Sequence, residues 1–194
     1  MIPYEFDAER FSRWMAYVLR HNPARYGLQP DRHGYVDFEE FFRIATRRYP
    51  QATPEMLRNI ITGGGDGRFE MAGERLRARY GHSIPVEPPG EPVAPPPVLY
   101  AGVEAERAPA ILKEGLMPRD RQLVHLSETL ADALSLITKK TDRPAVLRID
   151  AAGARAAGIP FHREGKVYLT ARVPAPFLSL EPLPRPLGAR EGGS

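Results

Sequence analysis

The chain contains no cysteine, and this absence restricts both its structure and its chemistry. Disulfide bonds, thiolate metal ligands and a cysteine nucleophile are excluded, so any catalysis must use histidine, arginine, carboxylates or a bound co-substrate. Lysine is scarce as well, since only 4 of the 27 Lys and Arg residues are Lys. Arginine binds phosphate through two parallel hydrogen bonds. A GC-rich genome produces the same excess, so only arginines at defined positions support a functional argument.

Long hydrophobic runs are also missing. No stretch approaches the ~18–20 apolar residues needed to cross a bilayer, and residues 1–5 do not resemble the start of a secretory signal. We therefore expect a cytoplasmic, monomeric protein without a membrane partner. The net charge of +3 is too small for non-specific binding to a polyanion. With 194 residues, 42% of them hydrophobic, the chain can form one large domain or two small ones.

Common signatures of metal, nucleotide and hydrolase sites do not occur. The glycine-rich segment 63–67 lacks the Lys-Ser/Thr of a P-loop and is expected to form a flexible turn. No Gly-x-Ser-x-Gly nucleophile elbow is present. The five histidines do not show the ligand spacing of a zinc site, so we expect no metal. They are His21, His33, His82, His125 and His162.

A proline-rich segment divides the chain. In residues 84–98, 7 of 15 residues are proline and no periodic pattern persists, which is typical of a semi-rigid linker. The sequence therefore predicts one domain in residues 1–83 and another in residues 99–182. The remaining residues, 183–194, are rich in Pro and Gly and are expected to form a flexible tail.

Three amphipathic helices and a hairpin are predicted in the first domain. The second helix begins after Asp37, whose carboxylate can cap it, and the third begins at Pro54. Alternating segments at 68–71 and 75–78 predict the hairpin. This combination favours a winged helix. The predicted buried positions are Phe11, Trp14, Met15 and Val18 in the first helix, Phe38, Phe41, Phe42 and Ala45 in the second, and Met56, Leu57, Ile60 and Ile61 in the third.

The second domain shows short strand patterns separated by two helical ones. One helix carries Ala108, Ile111 and Leu112 and stops at Gly115, and the other is centred on Ala133. We therefore predict a mixed α/β domain, which makes the whole chain an α+β protein. The predicted strands are 98–100, 124–127, 145–149, 166–170 and 177–180.

Eight short phrases, taken together in this order, resemble the RNA 2'-phosphotransferase family. Each is weak alone, but they occur on both sides of the proline-rich segment and cover the chain from about residue 10 to 181. The phrases are Leu19-Arg20-His21, Asp31-x-x-Gly34-Tyr35-Val36, Gly67-Arg68-Phe69, Gly81-His82-Ser83, Leu99-Tyr100-x-Gly102, Gly115-Leu116, Arg121-x-x-Val124-His125-Leu126-Ser127 and Val167-Tyr168-Leu169-Thr170.

The resemblance implies a winged-helix RNA lobe followed by a lobe with the ADP-ribosyltransferase fold that holds NAD as co-substrate. It implies a substrate RNA, such as tRNA, that carries an internal 2'-phosphate. In the first implied step this phosphate attacks the nicotinamide ribose, and nicotinamide leaves. In the second step the adjacent ribose hydroxyl attacks the phosphorus, which releases 2'-hydroxyl RNA and ADP-ribose 1'',2''-cyclic phosphate.

The family's catalytic Arg-His-Arg-Arg set corresponds to Arg20, His21, Arg68 and Arg121. A phosphate dianion suits bidentate guanidinium groups, and charge developing on its oxygens needs fixed positive partners. His21 could either donate a hydrogen bond to the phosphate or protonate the departing RNA oxygen. In isolation, an arginine and a histidine at a helix end are usually surface groups.

The resemblance also indicates NAD-binding positions. The family's Leu-Tyr-His-Gly-Thr is replaced here by Leu99-Tyr100-Ala101-Gly102-Val103, so an imidazole and a hydroxyl are missing. The loss of one neutral hydrogen bond weakens binding by roughly 0.5–1.5 kcal/mol. The predicted NAD-binding residues are Tyr100, Ala101, Gly102, Gly115, Leu116, His125, Leu126 and Ser127.

Two other functions fit parts of the sequence. An ADP-ribosyltransferase acting on protein or on nucleic-acid ends would stop after the first step. Such enzymes commonly use a glutamate near the nicotinamide ribose, and residues 167–171 contain none. A non-catalytic winged-helix nucleic-acid binder would explain the substitutions at Ala101 and Val103, but not the presence of all four phosphate-binding candidates.

Overall fold

The computed structural model describes residues 6–63, 67–88 and 90–183. Residues 64–66 of the predicted glycine-rich turn and residues 184–194 of the predicted tail lie outside this part. The helices are α1 (Ala8–His21), α2 (Phe38–Arg48), α3 (Pro54–Gly63), α4 (Ala108–Glu114), α5 (Leu130–Thr138) and α6 (Ala151–Ala156). The strands are β1 (Val36–Asp37), β2 (Phe69–Ala72), β3 (Arg75–Ala78), β4 (Val98–Glu104), β5 (Val124–Ser127), β6 (Pro144–Asp150), β7 (His162–Glu164), β8 (Val167–Thr170) and β9 (Leu178–Glu181).

The three predicted helices of the N-terminal half are confirmed. Asp37 caps α2 by accepting a hydrogen bond from the Glu40 backbone N–H at 2.9 Å. Phe41 and Leu57 are fully buried, as expected. The prediction of full burial was wrong for Phe42, Met56 and Ile60, which are half-buried. A helix turns by about 100° per residue, so these positions lie beside the buried stripe.

The predicted hairpin of β2 and β3 is confirmed and belongs to a three-stranded antiparallel sheet with the order β1-β3-β2. Strand β1 was not predicted, because two residues are too few to show an alternating pattern. Val36 pairs with Leu76, and both are buried against the helices. This packing creates the first apolar core, from residues between 11 and 78.

The second sheet has six antiparallel strands in the order β7-β8-β5-β4-β6-β9. The five predicted strands and two predicted helices are present, whereas α6 and β7 were not predicted. Helix α6 has only six residues and follows β6 directly, with Asp150 as its cap, so it has no extended apolar stripe. The second apolar core forms on this sheet from residues between 99 and 173.

Strand β4 has two different faces. Leu99, Ala101 and Val103 point into the second core, and all three are buried. Gly102 points to the opposite face and lies under α5. A Cβ at this position would come within 2.6 Å of Ile137 Cβ and 2.7 Å of the Ala133 carbonyl oxygen, so only glycine permits this close approach.

Strands β4 and β5 separate soon after they meet. They are paired only at Tyr100 and Ser127, although the neighbouring pairs β4/β6 and β5/β8 each continue over several residues. Backbone groups along the diverging segments are therefore available to a ligand.

Apart from Val98, which begins β4, the proline-rich segment forms neither helix nor strand in its described residues, but it contacts both halves. The Glu87 N–H donates to the Arg32 carbonyl, and the Val93 N–H donates to the Phe161 carbonyl, each at 2.7 Å. A buried ion pair also joins the two halves, because Arg77 of β3 donates to Glu164 of β7 at 2.8 Å. The two cores are thus held against each other at several points. In the described part of the chain, no helix is both long and apolar enough to span a membrane.

Candidate functional site

The last turn of α1 presents Arg20 and His21. Residues 81–83 pack against this turn: the Ser83 N–H donates to the Arg20 carbonyl at 3.0 Å, and His21 Nδ1 lies 2.9 Å from Ser83 Oγ. A helix end leaves carbonyl groups without helical partners, and Ser83 satisfies one of them. Two segments distant in sequence therefore fix the backbone and the imidazole at this position.

The guanidinium group of Arg20 lies over the ring of Tyr80, with Cζ 5.0 Å from the ring centroid. Gly81 also lies against the Arg20 side chain. This glycine has a φ of 88°, and a Cβ there would lie 3.3 Å from both Cδ and Nε of Arg20. A larger residue would be strained and would displace the arginine. The Tyr80 and Gly81 pair thus orients Arg20.

Arg121 approaches the same region from the second half of the chain. The next residue, Gln122, connects the two halves through its backbone N–H, which donates to the His82 carbonyl, and its side-chain amide, which donates to the Ser83 carbonyl, each at 3.1 Å. Partial burial and then the charges of Arg20 and Arg121 lower the pKa of His21. These three predicted residues are therefore close enough to interact electrostatically.

Arg68, which directly precedes β2, contacts α1 at a different position from Arg20. Its Nη1 donates to Ser12 Oγ at 3.3 Å. Ser12 precedes Arg20 by eight residues, or about 12 Å along the helix axis. Arg68 thus reaches the same helix, but this contact places it near the opposite end from Arg20.

Two histidines, the buried His82 and the half-buried His125, lie near this region. Burial, followed by the charge of Arg20, lowers the pKa of His82 to about 4. Burial, followed by the charge of Arg121, lowers the pKa of His125 to about 3. Both are therefore neutral at pH 7. His125 Nδ1 donates to the Leu123 carbonyl at 2.9 Å, which leaves Nε2 as a hydrogen-bond acceptor. Neither Nε2 atom has a partner among the described residues.

A cleft of about 400 Å³ opens where β4 and β5 separate. This volume lies within the range of small-molecule sites, about 300–1,000 Å³. The lining combines backbone and small side chains with several charged groups. The sequence-predicted residues that line it are Ala101, Gly102, Leu116, Arg121, His125 and Ser127.

The other predicted NAD-binding residues lie behind or beside the lining. Leu126 is completely buried in the second core. Tyr100 is half-buried at the point where β4 and β5 pair. Gly115 ends α4 with a φ of 101°, and a Cβ there would lie 3.0 Å from the Val173 carbonyl oxygen. These three residues shape the cleft, and their contact with NAD remains a prediction.

Several site residues were missed by the sequence-based assignment. Tyr80, His82 and Ser83 lie beside Arg20 and His21. The Gly81-His82-Ser83 phrase was the only signal for His82 and Ser83, and Tyr80 had none. The cationic lining residues Arg107, Arg119 and Lys140 gave none. They outnumber the acidic lining residues Glu104 and Asp120, so the cleft suits an anion. In the described ranges, no group of three or more His, Asp or Glu side chains could hold a metal ion.

Comparison with known sequences agrees with the resemblance inferred from the short phrases. Residues 7–172 match the RNA 2'-phosphotransferase, Tpt1 / KptA family. A probable RNA 2'-phosphotransferase of Thermococcus kodakarensis is 39% identical over 90% of this chain and 97% of its own length. A probable RNA 2'-phosphotransferase of Lacticaseibacillus paracasei is 35% identical over 87% of this chain and 91% of its own length. The chain therefore belongs to the RNA 2'-phosphotransferase, Tpt1 / KptA family.

Proposed function

We propose that this protein is an NAD-dependent RNA 2'-phosphotransferase that removes an internal 2'-phosphate from RNA such as tRNA. One observation carries most of the argument: Arg20 and His21 from α1 meet Arg121 beside the cleft that Arg121 itself lines. A phosphate held by the two arginines would lie next to a second ligand in that cleft.

The proposal assigns the two substrates to different halves of a cytoplasmic monomer. The N-terminal half, with three helices and a small sheet, acts as a winged-helix RNA lobe. The C-terminal half acts as an ADP-ribosyltransferase-like lobe that binds NAD. The division falls in residues 84–98, and the catalytic residues come from both lobes.

The cleft has properties that suit NAD. Its volume is adequate, and its excess of cationic side chains fits a pyrophosphate. The unpaired edges of β4 and β5 offer backbone donors and acceptors for an amide or a ribose. The His125 Nε2 acceptor suits a ribose hydroxyl, because a neutral imidazole accepts a hydrogen bond at that atom.

In the first proposed step, a phosphate oxygen of the RNA forms a bond to the anomeric carbon of the nicotinamide ribose. The bond between this carbon and the nicotinamide nitrogen breaks, and nicotinamide leaves as a neutral molecule. Arg20 and Arg121 orient the phosphate for this attack, since guanidinium groups hold two oxygens in one plane. The product is RNA-2'-phospho-ADP-ribose.

In the second proposed step, the adjacent ribose hydroxyl attacks the phosphorus, and the bond from phosphorus to the RNA 2'-oxygen breaks. The attacking hydroxyl loses its proton to solvent, and the departing oxygen gains one, which His21 can supply when it is protonated. A bound phosphate dianion opposes the charges of Arg20 and Arg121 and so raises the pKa of His21. The family resemblance assigns Arg68 to the same set of cations, and to reach a phosphate at Arg20 its side chain would leave Ser12. The products are 2'-hydroxyl RNA and ADP-ribose 1'',2''-cyclic phosphate.

Two other proposals receive less support. An ADP-ribosyltransferase that stops after the first step would need a glutamate at the ribose. Glu164 is buried in its pair with Arg77, and the cleft-lining Glu104 lies 3.7 Å from Arg119. A non-catalytic RNA binder would not need the cleft beside the arginines.

The direct test follows the phosphorus atom. RNA with one internal ³²P-labelled 2'-phosphate is incubated with and without NAD, and the products are separated. We expect the label to move to ADP-ribose cyclic phosphate only with NAD, together with one nicotinamide per phosphate. Release of labelled inorganic phosphate without NAD would indicate a phosphatase, and accumulation of labelled RNA-phospho-ADP-ribose would indicate an ADP-ribosyltransferase.

A further inference from the structure

Tyr17 is an exposed aromatic residue beside the proposed phosphate site. Its fractional exposure is 42%, and the other large apolar residues that are exposed in the described part of the chain are aliphatic. Tyr17 lies one helical turn before Arg20 and His21, and its ring centroid is 6.2 Å from that of His21 at an angle of 53°. The ring is therefore available to a ligand that already contacts His21.

The buried face of α1, opposite Tyr17, fixes the rotation of the helix and therefore keeps this ring at the surface. Phe11, Met15 and Val18 have no exposed surface and anchor the helix in the first core. Rotation of α1 that buried Tyr17 would expose these apolar side chains to water, which is unfavourable. Tyr17 is thus a preformed surface that needs little reorganisation to bind.

The solvent-exposed face of α1 is cationic around Tyr17. Arg13 lies one turn before it, and Arg10 lies a further turn away; both are exposed. Arg13 forms an ion pair with Glu9 at 3.4 Å, but both side chains are solvent-exposed, so the pair is weak. An aromatic ring flanked by arginines is typical of surfaces that bind single-stranded nucleic acid, where bases stack and cations contact phosphates.

We propose that Tyr17 stacks on the base of the nucleotide that carries the 2'-phosphate. This inference rests on the proposed function, which places that phosphate at Arg20 and His21. The ribose carbon bearing the 2'-oxygen is bonded to the carbon that bears the base, so phosphate and base are a few covalent bonds apart. The ring next to His21 is therefore within reach of the base. Every base has a π-face, so Tyr17 accepts all four and selects for an unpaired nucleotide.

The experiment combines a protein change with an RNA change. Wild type, Tyr17→Leu and Tyr17→Phe are compared on 2'-phosphorylated RNA and on the same RNA lacking the base at that nucleotide. RNA affinity is measured by fluorescence anisotropy without NAD. KM for RNA and kcat are measured at saturating NAD, and KM for NAD is measured at saturating RNA. Leu180→Ala, on the exposed surface of β9, is the matched control.

We expect Tyr17→Leu to weaken binding of the intact RNA by roughly 5- to 150-fold, the range found for loss of one stacking residue. Tyr17→Phe should restore most of this affinity, and Leu180→Ala should lose none. Removing the base should weaken wild type by a similar factor and should weaken Tyr17→Leu no further. KM for NAD should not change.

Two results would overturn the proposal. One is an equal loss in Tyr17→Leu on intact and base-free RNA, which would indicate a structural role. The other is unchanged affinity of Tyr17→Leu for the intact RNA. Failure of the proposed function has a different signature, because wild type would then bind the RNA without transferring its phosphate. The binding measurements decide the role of Tyr17 in either case.

Discussion

The end of α1 and the gap between β4 and β5 are built in different ways. At the end of α1, cationic side chains from distant segments are brought together, and Tyr80 and Gly81 orient Arg20. In the gap, the important feature is the separation of two strands, together with the small residue Gly102. The first region depends on charge and side-chain orientation, and the second depends on backbone shape. Substitutions should therefore affect the two proposed ligands separately.

The largest effect is expected where the N-terminal and C-terminal halves of the chain are joined by an ion pair. Arg77→Ala leaves the buried Glu164 without its partner and should destabilise the protein by about 3–5 kcal/mol. Chemical denaturation gives this free energy of unfolding. The double variant Arg77→Met with Glu164→Met should recover much of the loss, because the only partner of Arg77 that it leaves charged is the partly exposed Glu70. A loss below 1 kcal/mol in Arg77→Ala would mean that this pair does not hold the two halves together.

The next largest effect concerns the arginines proposed to hold the phosphate. Arg121→Ala and Arg121→Lys should each lower kcat by about 10²–10³, the usual cost of losing one transition-state donor. Lysine keeps the charge but cannot hold two phosphate oxygens in one plane, so it should not rescue activity. Arg20→Ala and Arg68→Ala should also lose activity. Single-turnover kinetics would measure these changes, and thermal unfolding would show whether each variant is folded.

Near wild-type turnover in two of these variants would contradict the assignment of Arg20, Arg68 and Arg121. Arg119→Ala is a suitable control, since it removes a neighbouring arginine that contacts Glu104 at 3.7 Å rather than the end of α1. Its loss should change the affinity for NAD more than kcat.

A substitution that changes the shape of the cleft but not its charge should affect NAD binding alone. Gly102→Ala places a methyl group against Ile137 and the Ala133 carbonyl, so α5 must move. Overpacking of this kind costs about 1–3 kcal/mol. We expect weaker NAD binding by calorimetry and little change in RNA affinity. Equal losses for both ligands would argue against separate regions.

A separate effect, on stability alone, is the pH dependence that arises from His82 and His125. Folding lowers both pKa values, to about 4 and about 3. Above pH 6.5, the pKa of a histidine in the unfolded chain, both states are neutral and the folded state keeps its full stability. As pH falls from 6.5 toward the pKa values of the folded state, the unfolded chain binds protons first, and stability is lost. The loss is at most about 1.4 kcal/mol per pH unit for each histidine. His125→Gln should reduce this slope in denaturation experiments between pH 6.5 and 4.5, and an unchanged slope would contradict the assignment.

Much of the fold could be predicted because local sequence patterns indicate most of the helices and strands. The stripe at Phe11, Met15 and Val18 predicted α1, and the capping pattern at Asp37 predicted the start of α2. Short elements without such patterns, β1 and α6, were missed. The antiparallel order of the second sheet was also beyond the sequence, because strand pairing depends on residues far apart in the chain.

The site was predicted less completely than the fold. Short phrases identified Arg20, His21 and Arg121, and the structure brings these residues together. Periodicity could not show that Tyr80 would lie on Arg20 or that Gln122 would join the two halves, since each contact spans tens of residues. The buried pair of Arg77 and Glu164 was missed for the same reason. Single charged residues resemble surface groups until their long-range partner is known.

The most direct test of two separate regions is a pair of titrations on Arg20→Ala. NAD and 2'-phosphorylated RNA are titrated separately against wild type and this variant, with calorimetry for NAD and fluorescence anisotropy for RNA. We predict that Arg20→Ala binds NAD with the wild-type Kd. Its affinity for the phosphorylated RNA should fall to, or below, the affinity of wild type for the same RNA with a plain 2'-hydroxyl. If the variant instead lost NAD affinity, or if wild type did not distinguish phosphorylated from unphosphorylated RNA, Arg20 would not be part of a phosphate site beside the NAD cleft.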